Sequence, residues 1–229
     1  MNAVREPLLT GIRAAIIDLD GTMVHTAPDF HVAVNRMRAE LGLAPLNIET
    51  IVDFVGKGTE NLIRRVLAID YGDHVEPHFE AALASYMRHY PIINGEFSEV
   101  YPEVEEGLQA MRAKGLRLAC VTNKPFSFAQ ELLEKTGLRD YFEIVYGGDS
   151  LAKKKPDPLP LLQVCADFGL PPVQVVAIGD SSNDAQAARA AGCRVLNVPY
   201  GYNHGQPIQS VESDGIVSSL LDAAHRIST

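Results

Sequence analysis

Cysteine is scarce in this 229-residue chain, and the three thiols, Cys120, Cys165 and Cys193, are far apart with no CxxC pair among them. Cys120 and Cys193 lie in or beside apolar runs and read as buried thiols of a reducing compartment. Basic charge is also short. Lys and Arg number 20 against 29 Asp and Glu, a formal net charge of -9. That balance argues against nucleic acid or an anionic membrane as a general partner. No apolar stretch approaches membrane-spanning length, and residues 1–13 lack the long apolar region of a signal peptide. A cytoplasmic protein without nucleic-acid or membrane partners is the expectation. Internal repeats and low-complexity segments are missing too.

What is present is globular composition, 46% hydrophobic and 21% charged, with ample material for a core. Five short apolar runs, 14–17, 116–121, 142–146, 175–178 and 195–198, read as strands buried on both faces. Segments of helical spacing alternate with the later ones, at 128–136, 159–168 and 182–191. Gly137 and Gly192 stop two of them, and Asp157-Pro158 opens the third as a cap followed by a first-turn proline. Strand alternating with helix predicts an α/β fold with a parallel, Rossmann-like sheet. Between the first and second strands lie about seventy residues of mostly helical pattern, at 29–41, 59–69 and 75–90. That is far longer than an ordinary crossover. It predicts an inserted helical domain over 26–97, with hinges near 25–28 and 94–100, and a discontinuous core of 1–25 and 98–229.

Polar residues collect just after the apolar runs. The first strand ends in Asp18 and Asp20, which share one face of an extended chain. A capped turn needs one aspartate; two side by side point to a cation or a reaction. The second run ends in Thr122-Asn123, the third leads to Lys155, and the fourth runs into Asp180 and Asp184. In an open parallel sheet, ligands bind at the carboxyl ends of the strands. Carboxylates, a hydroxyl and a lysine would then converge on one crevice, and three carboxylates around a point suit a Mg²⁺ ion that keeps several waters. A carboxylate attacking a phosphoryl group brings anion to anion, at a cost of about 4 kcal/mol per pair of unit charges at ~4 Å and an effective dielectric of ~20. A divalent cation and an ammonium reverse that sign. Asp18 would then be a nucleophile forming an aspartyl-phosphate, and Asp20 an acid and base.

DLDGT at 18–22, VTN at 121–123, KKPDP at 154–158 and GDSSND at 179–184, in this order, resemble the four motifs of the haloacid dehalogenase-like hydrolase superfamily. The insertion after the first motif resembles that superfamily's helical cap. The resemblance implies Asp18 as nucleophile and Mg²⁺ ligand, and Asp20 as acid/base that meets the metal through its backbone carbonyl. It implies Thr122 and the Asn123 backbone on the phosphoryl oxygens, Lys155 offsetting charge, Asp180 on the metal, and Asp184 supporting the metal waters or the lysine. Relatives that expel halide, or cleave phosphonates, lack the second aspartate. Its presence leaves phosphatase and phosphomutase.

GEFSEVYPEV at 95–104, GGDSLAKKKPDP at 147–158, PYGYNHG at 199–205 and VGKGTENLIRRVL at 55–67 are similar to the family of bacterial phosphoglycolate phosphatases. That resemblance implies hydrolysis of 2-phosphoglycolate. If the insertion closes over the site, Lys57 or the backbone amides of the loop Gly56-Lys57-Gly58 would meet the substrate carboxylate. Another small phosphoester, a hexose phosphate to be isomerised, or a non-catalytic phosphoacceptor role are the alternatives, and the chain would act as monomer or homodimer. Lys153 and Lys154 read as solvated, Arg64 and Arg65 as surface charges, and Tyr202 and His204 as candidates to line the site. His25-Thr26 stands where that family usually has Asp-Ser. Thr26 can cap the following helix in place of serine. His25 is either a tolerated hinge residue or a change in pH profile or substrate preference.

Overall fold

Strand β1 (Ala14–Ile17) is the hub of a six-stranded parallel sheet ordered β5-β4-β1-β6-β7-β8 in the computed structural model, which describes residues 8–229. Residues 1–7, part of the stretch read above for a signal peptide and of the expected core domain, lie outside the described residues. β4 (Arg117–Val121) and β6 (Val175–Gly179) flank β1, with Ile17 opposite both Cys120 and Ile178. β5 (Ile144–Tyr146), β7 (Arg194–Asn197) and β8 (Gly215–Ile216) complete the sheet. The run at 142–146 forms a strand only from Ile144, with a short helical turn at 139–141 before it and Phe142 already extended.

All four residues of β1 are buried, and they alternate between two cores. Ala15 and Ile17 pack with Leu108, Leu132 and Leu220, whereas Ala14 and Ile16 face Val164, Phe168 and Ala188. A continuous apolar run is what a strand covered on both faces requires. Truncating Ile17 to Ala would cost about 2–5 kcal/mol.

The chain leaves the sheet through β2 (Val24–His25) and returns through β3 (Glu99–Val100), a two-residue antiparallel pair. Between them lie α1 (Ala27–Glu40), α2 (Ile48–Val52), α3 (Thr59–Tyr71) and α4 (Glu76–Ile93), with their own core of residues such as Val34, Ile63, Leu67 and Tyr86. Thr26 does not cap α1: its hydroxyl is buried without a hydrogen-bond partner, and the Ala27 N–H is taken by the Tyr202 hydroxyl at 3.0 Å. Asp29 in the first turn ties the two connections together. Its carboxylate accepts from the Gly95 and Phe97 backbone at 2.6 and 2.8 Å and from Ser98.

α5 (Val104–Ala113), α6 (Phe126–Lys135), α7 (Leu159–Phe168), α8 (Ser182–Ala191) and α9 (Leu220–Arg226) cover the sheet. Pro158, not Asp157, holds the cap position of α7; Asp157 stands one residue earlier and accepts from the Leu159 N–H at 2.9 Å. Gly107 lets α5 touch α9, since a Cβ there would sit 2.4 Å from the Leu220 carbonyl carbon. Among the described residues, no helix is long and apolar enough to cross a membrane.

Candidate active site

The register of β1, β4 and β6 brings their carboxyl ends level, and Asp18, Asn123 and Asp180, just beyond them, line one crevice. Asp18 leaves β1 with its N–H bonded to the Ile178 carbonyl at 3.0 Å. Lys155 Nζ lies 2.9 Å from Asp18 Oδ1 and donates to Asp184 Oδ1 and the Val121 carbonyl, each at 2.6 Å. Asp184 is held by the start of α8, where Ser181 donates to its Oδ2 through the hydroxyl at 2.6 Å and the backbone at 3.2 Å. Asp180 accepts from the Thr22 hydroxyl at 2.9 Å and from the Tyr202 N–H. Gly21, at φ +82°, makes this approach possible, since a Cβ there would be 2.4 Å from Asp180 Oδ2.

One carboxylate oxygen from each of Asp18, Asp180 and Asp184 falls within 4.8 Å of the others. Burial drives the Asp18 pKa up from 3.8 to about 7; Lys155 opposes this, and the charges of Asp184 and Asp20 add to it. Burial, then Asp184 and Asp18, hold Asp180 well above the usual carboxylate range. Burial pulls Lys155 down, but Asp18 and Asp184 outweigh it and keep the ammonium charged. One lysine among three crowded acids leaves the cluster short of positive charge, and hard oxygen ligands suit a hard divalent cation. These residues therefore fit a metal ion.

Asp20 points elsewhere: its Oδ1 accepts from Lys124 Nζ at 3.0 Å. Thr122 is buried and accepts from the Lys124 N–H at 3.2 Å. The Asn123 side chain joins the two halves of the molecule, donating to the Gly56 carbonyl at 2.9 Å and the Lys155 carbonyl at 2.8 Å. Asn183 reaches the same Gly56 carbonyl at 3.1 Å. Gly56 and Gly58 line the crevice with Phe30, Val55, Leu62 and Tyr90, whereas Lys57 lines a neighbouring one with Lys153 and Lys154.

Tyr202 lines the crevice, whereas His204 sits behind the loop, beside Gly56 and 3.2 Å from Asn183 Nδ2. Burial, then the charges of Lys57 and Arg65, lowers the His204 pKa. Arg64 pairs with Glu60 and Glu76, and Arg65 donates to the Asp53 carbonyl. His25 Nδ1 lies 2.7 Å from the Tyr202 hydroxyl and 3.2 Å from that of Tyr101. Tyr202 thus links the start of the helical insertion to Asp180. Lys124 carried no expectation from the sequence; its position directly after the second motif was the one available sign.

Strand-end acids, a buried lysine and an overlying helical lobe define an α/β enzyme built to handle an anionic group. Residues 12–192 match the haloacid dehalogenase-like hydrolase model, and the chain belongs to that family. It is 49% identical to the phosphoglycolate phosphatase of Thiobacillus denitrificans over 93% of this chain and 94% of that one. The phosphoglycolate phosphatase of Nitrosospira multiformis is also 49% identical, over 94% and 96%. A crystal structure described as a predicted phosphoglycolate phosphatase from Haemophilus somnus superposes with a TM-score of 0.89 at 33% identity, covering 93% of this chain and 96% of that one. Phosphatases of this family generally use a metal ion and act on small phosphoesters, and this chain has the acidic cluster.

Proposed function

We propose that this chain is a Mg²⁺-dependent phosphomonoesterase that hydrolyses 2-phosphoglycolate to glycolate and phosphate. The observation that carries the reading is the meeting of Asp18, Asp180 and Asp184 within 4.8 Å, with Lys155 on Asp18 and Asp184, in a chain 49% identical to a phosphoglycolate phosphatase. An Asp18 carboxylate oxygen attacks phosphorus, and the bond from phosphorus to the bridging oxygen breaks. Asp20 gives its proton to the departing glycolate oxygen. Water then attacks phosphorus, Asp20 takes the water's proton, and the acyl-phosphate P–O bond breaks to free phosphate and restore Asp18. Burial raises the Asp18 pKa, and Lys155 at 2.9 Å pulls it the other way, toward the ionised nucleophile. The Thr122 hydroxyl and the Asn123 backbone orient the phosphoryl oxygens. Side chains of Asp18 and Asp180 and the Asp20 carbonyl would hold Mg²⁺, with Asp184 beside them; the ion supplies positive charge where anion meets anion.

Residues 26–97 act as a cap over a core of 1–25 and 98–229, excluding water through Phe30, Val55 and Leu62 and bordering the substrate with the Gly56 and Gly58 backbone. We place the enzyme in the cytoplasm as a monomer or homodimer, with a small phosphomonoester as its partner. Phosphate release over a panel of phosphomonoesters, with Mg²⁺ and with chelator, tests the reading. The fastest turnover is expected on 2-phosphoglycolate, and chelator should abolish it. Faster release from a sugar phosphate or nucleotide, or isomerisation of a hexose phosphate, would replace the substrate assignment. Turnover untouched by chelator would remove the metal.

A further inference from the structure

The reaction outlined above leaves Lys124 without a task. Its side chain is 2% exposed, yet it lines the crevice that Asp18 and Asp20 open into. A buried ammonium is costly unless it is paired. Here Nζ donates to Asp20 Oδ1 at 3.0 Å and to the Tyr90 hydroxyl of α4, and lies 4.7 Å from the centre of the Phe30 ring. Two of its three N–H donors are thereby engaged. Among the described residues lining this crevice, Lys124 is the one basic side chain. Lys155 is occupied by Asp18, Asp184 and the Val121 carbonyl, and Lys57 faces the neighbouring crevice.

We infer that Lys124 binds the carboxylate of the substrate and selects phosphomonoesters that carry an acid group one carbon from the bridging oxygen. The inference rests on the phosphatase reading. In 2-phosphoglycolate a single methylene separates the bridging oxygen from the carboxylate carbon. The cation for that carboxylate therefore has to stand close to the group that serves the bridging oxygen. Asp20 is that group, and Lys124 Nζ is 3.0 Å from it. The surrounding wall of Phe30, Val55 and Leu62 is apolar, which strengthens an ammonium–carboxylate pair relative to water.

The test compares kcat/KM on 2-phosphoglycolate with kcat/KM on 2-hydroxyethyl phosphate, in which a neutral alcohol replaces the carboxylate. The wild-type protein should prefer 2-phosphoglycolate by about 100-fold, mostly through KM. Lys124→Met should bring the preference to within about threefold, and Lys124→Arg should keep most of it. Both substrates use Asp20, so any harm done by removing its partner cancels in the ratio. If Lys124→Met does not fold, Lys124→Gln, which keeps a donor for Asp20, gives the same reading. A wild-type protein that turns over both substrates alike overturns the inference and leaves the phosphatase reading standing. So does an unchanged preference in Lys124→Met. No turnover of 2-phosphoglycolate by the wild-type protein sinks both.

Discussion

The carboxyl edge of the sheet and the helical lobe over it both bury charge, but in opposite ways. In the lobe, Arg38 is 1% exposed and fully matched: it donates to the Ala44 and Val66 carbonyls at 2.6 and 3.2 Å and to Asp70 at 2.8 Å. At the sheet edge, three carboxylates crowd together with one lysine that reaches only Asp18 and Asp184, and two of the three are pushed up out of their ordinary range. A matched charge holds helices together. An unmatched cluster stores a demand for a cation and an anionic substrate, which is what a catalytic site requires. The lobe contributes apolar wall and backbone to the crevice, and the sheet contributes the reacting groups.

The contrast breaks most visibly at Asp18. Asp18→Asn should lower turnover by about 10⁴-fold while leaving the circular dichroism spectrum intact; appreciable steady-state release from it would remove the nucleophile. Asp20→Asn should still accept a phosphoryl group from a donor with a good leaving group but lose it about 100-fold more slowly, as single-turnover kinetics would read. Equal failure of both steps would count against an acid/base role. In the lobe the expectation inverts. Arg38→Met should cost about 3 kcal/mol of stability in urea unfolding, with kcat of the folded fraction retained. Lost activity without lost stability would mean that Arg38 serves the site rather than the packing of the lobe.

A fourth measurement reads the unmatched cluster directly. Asp18 titrates at about 7 in the folded, cation-free protein against an ordinary 3.8. Between those values the folded state keeps a proton that the unfolded chain has released. The contribution of Asp18 to stability therefore falls as pH rises through the window and levels off above it. Unfolding in chelator across that range should show this slope, and Asp18→Asn should show a shallower one, because Asp180 is raised in the same direction; parallel curves would mean an ordinary carboxylate. The smallest effect is expected at the hinge. An aspartate at position 25 can also accept the Tyr202 proton, so His25→Asp should leave kcat/KM and its pH profile within about twofold. A displaced pH profile would show that His25 tunes the site.

Much of this was legible in order along the chain, because local physics specifies it. The runs around β1, β4, β6 and β7 stand out since strands covered on both faces must be apolar throughout. The acids and Lys155 stand out since they follow those runs at once. Two-residue strands such as β2, β3 and β8 have no periodicity to read, and α5 hid because Gly107, a poor helix former, is there for contact with α9. Nor does the sequence of the Gly56-Lys57-Gly58 loop say which of its groups face the crevice: the fold puts Gly56 and Gly58 on it and Lys57 on the neighbouring one.

The sequence by itself determined the alternation of strand and helix, the long helical insertion, and the residues at each strand end, all properties of near neighbours. Only the tertiary structure decided which distant groups meet. Asp20 finds Lys124 104 residues away, and the Ala27 N–H finds Tyr202 across 175 residues. Those pairings follow from sheet order and from the closeness of the lobe to the sheet, and no local pattern encodes the distance between two loops. Burial likewise belongs to the folded chain: Asp18 is an ordinary aspartate until the sheet and lobe take away its water.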